Sequence, residues 1–164
     1  MEIEKLEKNK YFSFAKNLGI AAVAGLAAGA GAAEISSLIT DNKTATAIVS
    51  TFSEYVAAYA AFLPLHARDN QDIYRTAEGK FKWRAFIKDQ AKLAGGFVIL
   101  DMAYLTGRPF LAKEFLDYGI TPSQASLYAD AISYPSLMAA AFPIAKFTGN
   151  IKSKEKRLED RLEK

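Results

Sequence analysis

Charged residues crowd into 1–16, 66–92 and 146–164, with long apolar stretches between them. Residues 17–33 carry no charge. Residues 44–65 carry only Glu54, residues 93–107 only Asp101, and residues 123–145 only Asp130. No stretch alternates as a half-buried strand would, and Ala and Leu dominate, so the pattern predicts helices. They fall at about 12–38, 44–67, 84–106 and 122–147. Each reaches the roughly 20 residues that a hydrocarbon core needs at 1.5 Å per residue. The expected fold is all-α: a polytopic membrane protein with four transmembrane helices, built as two duplicated helical hairpins. Residues 1–10 form a polar cytoplasmic N-terminus, 11–148 the four-helix domain, and 149–164 a charged cytoplasmic helical tail with opposite charges at i, i+3 and i+4.

The distribution of basic residues sets an orientation. Lys5, Lys8, Lys10, Arg68, Arg75, Lys80, Lys82, Arg84, Lys152, Lys154, Lys156 and Arg157 all fall on one side of a four-span chain. The other side holds Lys43, Arg108 and Lys113, offset by Asp41, Glu114 and Asp117. The positive-inside rule then puts both termini in the cytoplasm of a multi-pass cell-membrane protein. Tyr11, Phe12, Phe81, Trp83, Phe86, Phe110, Tyr118 and Phe147 lie near span ends, as interfacial belts do. Residues 1–10 lack the apolar core and cleavage site of a signal peptide. A soluble four-helix bundle with Ala-rich seams is the alternative, but 17–33 has no polar face for water.

Composition narrows the chemistry. Of 164 residues, none is Cys and one is His. That excludes disulfides, iron–sulfur or thiolate-zinc sites, a Cys nucleophile and multi-His metal centres. No phosphate-binding glycine loop, GxSxG or HExxH occurs, so neither catalysis nor a cofactor is expected. The basic tail has few aromatics, and no nucleic acid is expected as a partner.

Within the spans, Glu54, Asp101 and Asp130 are the notable residues. An acid at mid-bilayer costs about 2.5–3.5 kcal/mol on a translocon scale and marks a functional site unless it is structurally paired. Thr46, Ser50, Ser53 and Glu54 share one side of the second helix; Ser126, Asp130 and Ser133 share one side of the fourth. A polar interior for a solute or proton is therefore expected from Glu54, Asp101, Asp130, Tyr55, Tyr134, Thr51 and Ser133. Structural pairing through a shared proton or the Tyr55 and Tyr134 hydroxyls is the alternative. Lys16, Lys92, Lys88 and Lys146 read either as a basic cytoplasmic entrance or as lysines snorkelling to headgroups; His66 reads as interfacial. Ala21, Gly25, Gly29 and Ala33 form a small-xxx-small packing face, for use within the chain or in a homo-oligomer. Pro64 and Pro143 read as helix terminators or as paired hinges. The segment 107–122 suits an amphipathic helix lying on the membrane surface.

The halves look related. A shift of 76 residues matches Ala15, Lys16, Gly19, Ala27 and Gly31 to Ala91, Lys92, Gly95, Ala103 and Gly107. A shift of 79 matches Tyr55, Ala60, Ala61 and Pro64 to Tyr134, Ala139, Ala140 and Pro143, placing Thr51 opposite Asp130 and Glu54 opposite Ser133. Two like-oriented hairpins with basic cytoplasmic ends resemble the GtrA-like family of small membrane proteins linked to moving polyprenyl-phosphate sugars across bilayers. The resemblance covers the architecture of residues 11–148. After the second and fourth spans, AFLPLHARDN and AFPIAKFTGN keep the Phe of that family's aromatic/Asn/Arg-rich ends and lose most of the rest. It implies an anionic or polyprenyl-linked lipid as partner, besides the bilayer itself. The expected function is translocation or binding of a small or lipid-linked solute. A non-transporting accessory or scaffold protein, working through its Gly face or charged tail, is the alternative.

Overall fold

The structure, a computed structural model, describes residues 2–76 and 78–147, with the side chains of 11–147 other than Asp72, Phe142 and Phe147. The tail at 149–164, the side chains of 1–10 and the Phe147 ring lie outside the described residues. Four long helices and one isolated turn make the fold: α1 (Glu2–Ile39), α2 (Lys43–Asp69), α3 (Gln71–Tyr74), α4 (Trp83–Asp117) and α5 (Pro122–Phe147). No strand occurs among the described residues. The long helices pack in a ring in which α1 touches α2 and α5, α4 touches α2 and α5, and the diagonals are sparse.

Local chemistry fixes each connection. Between α1 and α2, the Asn42 side chain caps α2 by accepting from the Ala45 amide at 3.1 Å. At the end of α4, Gly119 takes a left-handed φ of 80°. Its amide donates to the Leu116 carbonyl, and the Ile120 amide donates to that of Phe115, closing a Schellman motif. Pro122 then opens α5 at the position where a missing N–H costs nothing. These two turns share one end of the bundle, where Lys43 pairs with Asp117 at 3.1 Å and the Ser123 amide donates to Glu34. The opposite, basic end carries α3 and a single antiparallel bridge, Arg75 to Phe81. Its aromatic cluster joins Tyr74, Phe81, Phe86 and Trp83 to His66, which stacks on Phe62 at 5.3 Å.

The polarity of the bundle is inverted. Its largest fully buried side chains are Arg108, Tyr74, Glu54, Asn17, Thr51, Asp130, Ser50 and Ser126. Val23, Ile48, Phe52, Val98, Ile99, Met102 and Ile132 are exposed. Two segments, Tyr11–Ile39 and Lys43–Asp69, are long and apolar enough to cross a membrane, with mean hydropathies of 1.7 and 1.3.

Four expectations need correction. α1 does not start at 12 but at Glu2, so residues 2–10 are its first turns. α4 does not stop at 106. It continues through Gly107, Arg108 and Pro109 to Asp117, so no separate surface helix forms at 107–122. Pro109 withholds an N–H from the Leu105 carbonyl, yet Ala112 and Leu116 beyond it are buried, Ala112 against Ala47 and Ala129, and that packing holds the helix together. His66 is buried and not interfacial. Pro64 and Pro143 end no helix, since α2 runs on to Asp69 and α5 to Phe147. Of the expected belt, Trp83 and Tyr118 are exposed at the ends of α4, Phe12 and Phe110 are exposed within α1 and α4, and Phe81 and Phe86 turn into the aromatic cluster.

Candidate functional site: a buried charge cluster beside a cavity

Three helices each send one charge to the centre of the bundle. On α2, Ser50, Thr51 and Glu54 occupy one face; on α5, Ser126 and Asp130 are one turn apart; on α4, Arg108 follows Tyr104 by one turn. All seven are buried. Arg108 Nε donates to Asp130 Oδ1 at 2.7 Å and Nη2 to Oδ2 at 3.0 Å, a bidentate pair. Nη1 donates to Ser50 Oγ at 3.1 Å and Thr51 Oγ1 at 2.8 Å, and Nη2 to Ser126 Oγ at 2.6 Å. Ser50 passes its own proton to the Gly29 carbonyl at 2.9 Å, so the 3.1 Å contact between the two serines has Ser126 as donor. Glu54 Oε2 lies 2.6 Å from Nη2 but out of line for a hydrogen bond. Glu54 Oε1 instead accepts from the Tyr104 hydroxyl at 2.5 Å. Two carboxyl groups thus share one guanidinium.

The small-residue face of α1 makes room for this cluster. Ala21, Gly25, Gly29 and Ala33 are all buried. A Cβ at Gly25 would sit 3.1 Å from Glu54 Cγ; one at Gly29 would sit 3.0 Å from Glu54 Cβ and Oε2 and 3.3 Å from Arg108 Nη2. The stripe therefore faces α2 within the chain.

Beside the cluster, towards the basic end, lies a cavity of about 130 Å³ lined by all four long helices. Its floor is Phe14, Phe62 and Leu93. Glu54, Tyr104 and Tyr134 stand where it meets the cluster. Asp101 stands on its wall, half-buried, accepting from the Tyr55 hydroxyl at 3.0 Å and the Tyr59 hydroxyl at 3.1 Å.

The expected site residues thus divide. Glu54, Asp130 and Thr51 meet in the cluster; Asp101, Tyr55 and Tyr134 line the cavity. Ser133 is half-buried and makes no cluster hydrogen bond. Lys16 pairs with Asp69 at 3.2 Å, in a group with Ser13 and Asn17, while Lys88, Lys92 and Lys146 are exposed and form no ion pair among the described residues. Arg108 is the residue that sequence reasoning misplaced, in a loop. Its signal was its spacing, four residues after Tyr104 and seven after Asp101 on one helical face. The pairings that touch, Ser50 with Ser126 and Glu54 with Asp130 through Arg108, are each 76 residues apart. That is the register expected for the first helices, not the 79 expected for the second.

No family model, no curated protein and no solved structure matches the chain.

Proposed function

We propose that the chain is a small integral membrane protein whose four long helices all cross the bilayer with both ends cytoplasmic, and that it binds or translocates a small or lipid-linked solute through its polar interior. The observation that carries this reading is the inverted polarity: charges and hydroxyls meet at the centre, next to a cavity, while Val, Ile, Phe and Met face outwards. A soluble bundle would hold these outward Val, Ile, Phe and Met side chains in water, and large contiguous apolar patches are rare on soluble monomers. In lipid the same faces cost nothing and the polar groups must find each other inside. The concentration of Lys and Arg at one end supports the orientation. A polyprenyl phosphate, as the GtrA-like resemblance implies, fits the exposed Lys88, Lys92 and Lys146 and not the acidic cavity.

Absence of native Cys makes the test direct. Single cysteines replace Val23 and Ile99 on the outer faces, and Met138 in the cavity wall. Membranes are treated with a water-soluble methanethiosulfonate after alkaline-carbonate washing. The protein should stay in the pellet, with Val23→Cys and Ile99→Cys protected and Met138→Cys labelled. Release into the supernatant with both outer cysteines labelled would sink the membrane reading. Retention with Met138→Cys unlabelled would favour a scaffold with a dry interior.

A further inference from the structure

The lining of the cavity has a sign and a texture that select a ligand. Its polar groups are two carboxylates, Glu54 and Asp101, and the hydroxyls of Tyr55, Tyr59, Tyr104 and Tyr134. Among the described residues, no Lys, Arg or His lines it. The nearest guanidinium, Arg108, spends its donors on Asp130, Ser50, Thr51 and Ser126. Asp101 has two phenol hydroxyls and no cation within ion-pair distance among the described residues. The remaining wall is aromatic and aliphatic, including Phe62 and Phe97.

Such a site disfavours an anion, which would meet two carboxylates in a poorly screened interior. It also disfavours a small hard metal ion: no group of three or more His, Cys, Asp or Glu side chains among the described residues could hold one. A weakly hydrated organic cation suits both features. Its desolvation is cheap, its charge meets the carboxylate, and its alkyl groups lie on ring faces, as quaternary ammoniums do in aromatic cages. The Tyr55 and Tyr59 rings pack against each other at 4.7 Å beside Asp101 and form one aromatic wall. Size sets the body: an apolar cavity of about 150 Å³ accepts benzene, and this one is close to that volume.

We propose that the cavity binds a small, weakly hydrated organic cation about the size of one aromatic ring in all, seated on Asp101 against the Tyr55–Tyr59 ring pair. The inference rests on the polar-interior reading above and names its ligand class.

The test uses the full chain purified in detergent. Binding of labelled tetramethylammonium is measured, with the uncharged isostere neopentane and the anion methanesulfonate as competitors. The cation should bind saturably at one site per chain, and both competitors should be at least tenfold weaker. Asp101→Asn should lose at least tenfold in affinity. Should Asp101→Asn not fold, Leu137→Phe, which fills the cavity from α5 without touching a charge, should also lose at least tenfold while melting like the wild type. Equal binding of the uncharged isostere, or unchanged cation affinity in either folded variant, would overturn the assignment. Absence of cation binding while Met138→Cys is labelled would overturn the ligand class and leave the polar interior standing. Absence of binding with Met138→Cys unlabelled would remove both.

Discussion

Replacing Arg108 by Met tests the charge arithmetic at the centre of the bundle. The side chain is fully buried and pairs with Glu54 and Asp130 at 2.6 and 2.7 Å. Methionine fills much of the same volume and supplies no charge, so the variant leaves two carboxylates facing each other without a counterion. Breaking a buried pair from one side costs about 3–5 kcal/mol. At roughly 2–4 °C per kcal/mol for a chain of this size, melting should fall by about 6–20 °C. Glu54→Gln should behave differently. It leaves the Arg108–Asp130 pair intact and neutral, but an amide whose oxygen accepts from Tyr104 turns its NH2 towards Arg108 Nη2, so the loss should be about 1–3 kcal/mol, below that of Arg108→Met. The triple variant Arg108→Met, Glu54→Met, Asp130→Leu removes every charge and should recover most of the single-variant loss, because hydrophobic replacements of similar volume for buried pairs are often tolerated. Thermal unfolding of detergent-solubilised protein, followed by circular dichroism, reads all three. Arg108→Met melting with the wild type, or Glu54→Gln melting lower than Arg108→Met, would refute the reasoning.

Gly29→Ala should lower stability by about 1–3 kcal/mol through crowding of Glu54, whereas Gly31→Ala, with nothing within 4 Å, should gain up to about 1 kcal/mol; paired melting curves compare them. Tyr104→Phe strips Glu54 Oε1 of its donor and should cost about 1–3 kcal/mol in the same assay, and no change would mean that the hydroxyl is not bonded there. Trp83, the single tryptophan, is exposed at the start of α4, and in vesicles its fluorescence should be quenched more by lipids brominated near the headgroup than at the chain end. Equal or absent quenching would place it elsewhere.

The sequence announced the helices well because composition sufficed: charge-free runs rich in Ala and Leu leave little alternative to helix. It also named Glu54, Asp101 and Asp130, since an acid in an apolar run stands out. It hid Arg108. Gly107 and Pro109 on either side read as punctuation, and the residue before a proline is biased away from helix. Only the burial of Ala112 and Leu116 beyond the proline overrides that bias, and a tertiary contact of this kind leaves no local mark. The repeat alignment was a weaker guide. Lys16 and Lys92 matched in the repeat alignment, but Lys16 faces Asp69 and Lys92 faces outwards, because a match in sequence does not say which side of a helix meets a neighbour. Gly19, Gly31, Gly95 and Gly107, which also matched, have open space where a side chain would go.

The distribution of the central charges over α2, α4 and α5 bears on biogenesis. On the membrane reading, α1 and α2 leave the translocon as a hairpin, with Glu54 tucked against the glycines of α1. α4 follows with Asp101 and Arg108, two residues that each cost about 2.5–3.5 kcal/mol at mid-bilayer when alone. Arg108 can meet Glu54 at once, but its two-pronged partner Asp130 does not exist in the bilayer until α5 has been made. The last helix thus acts as a latch. A nascent chain truncated before residue 130 should be held by quality control, with α4 only loosely retained in the membrane.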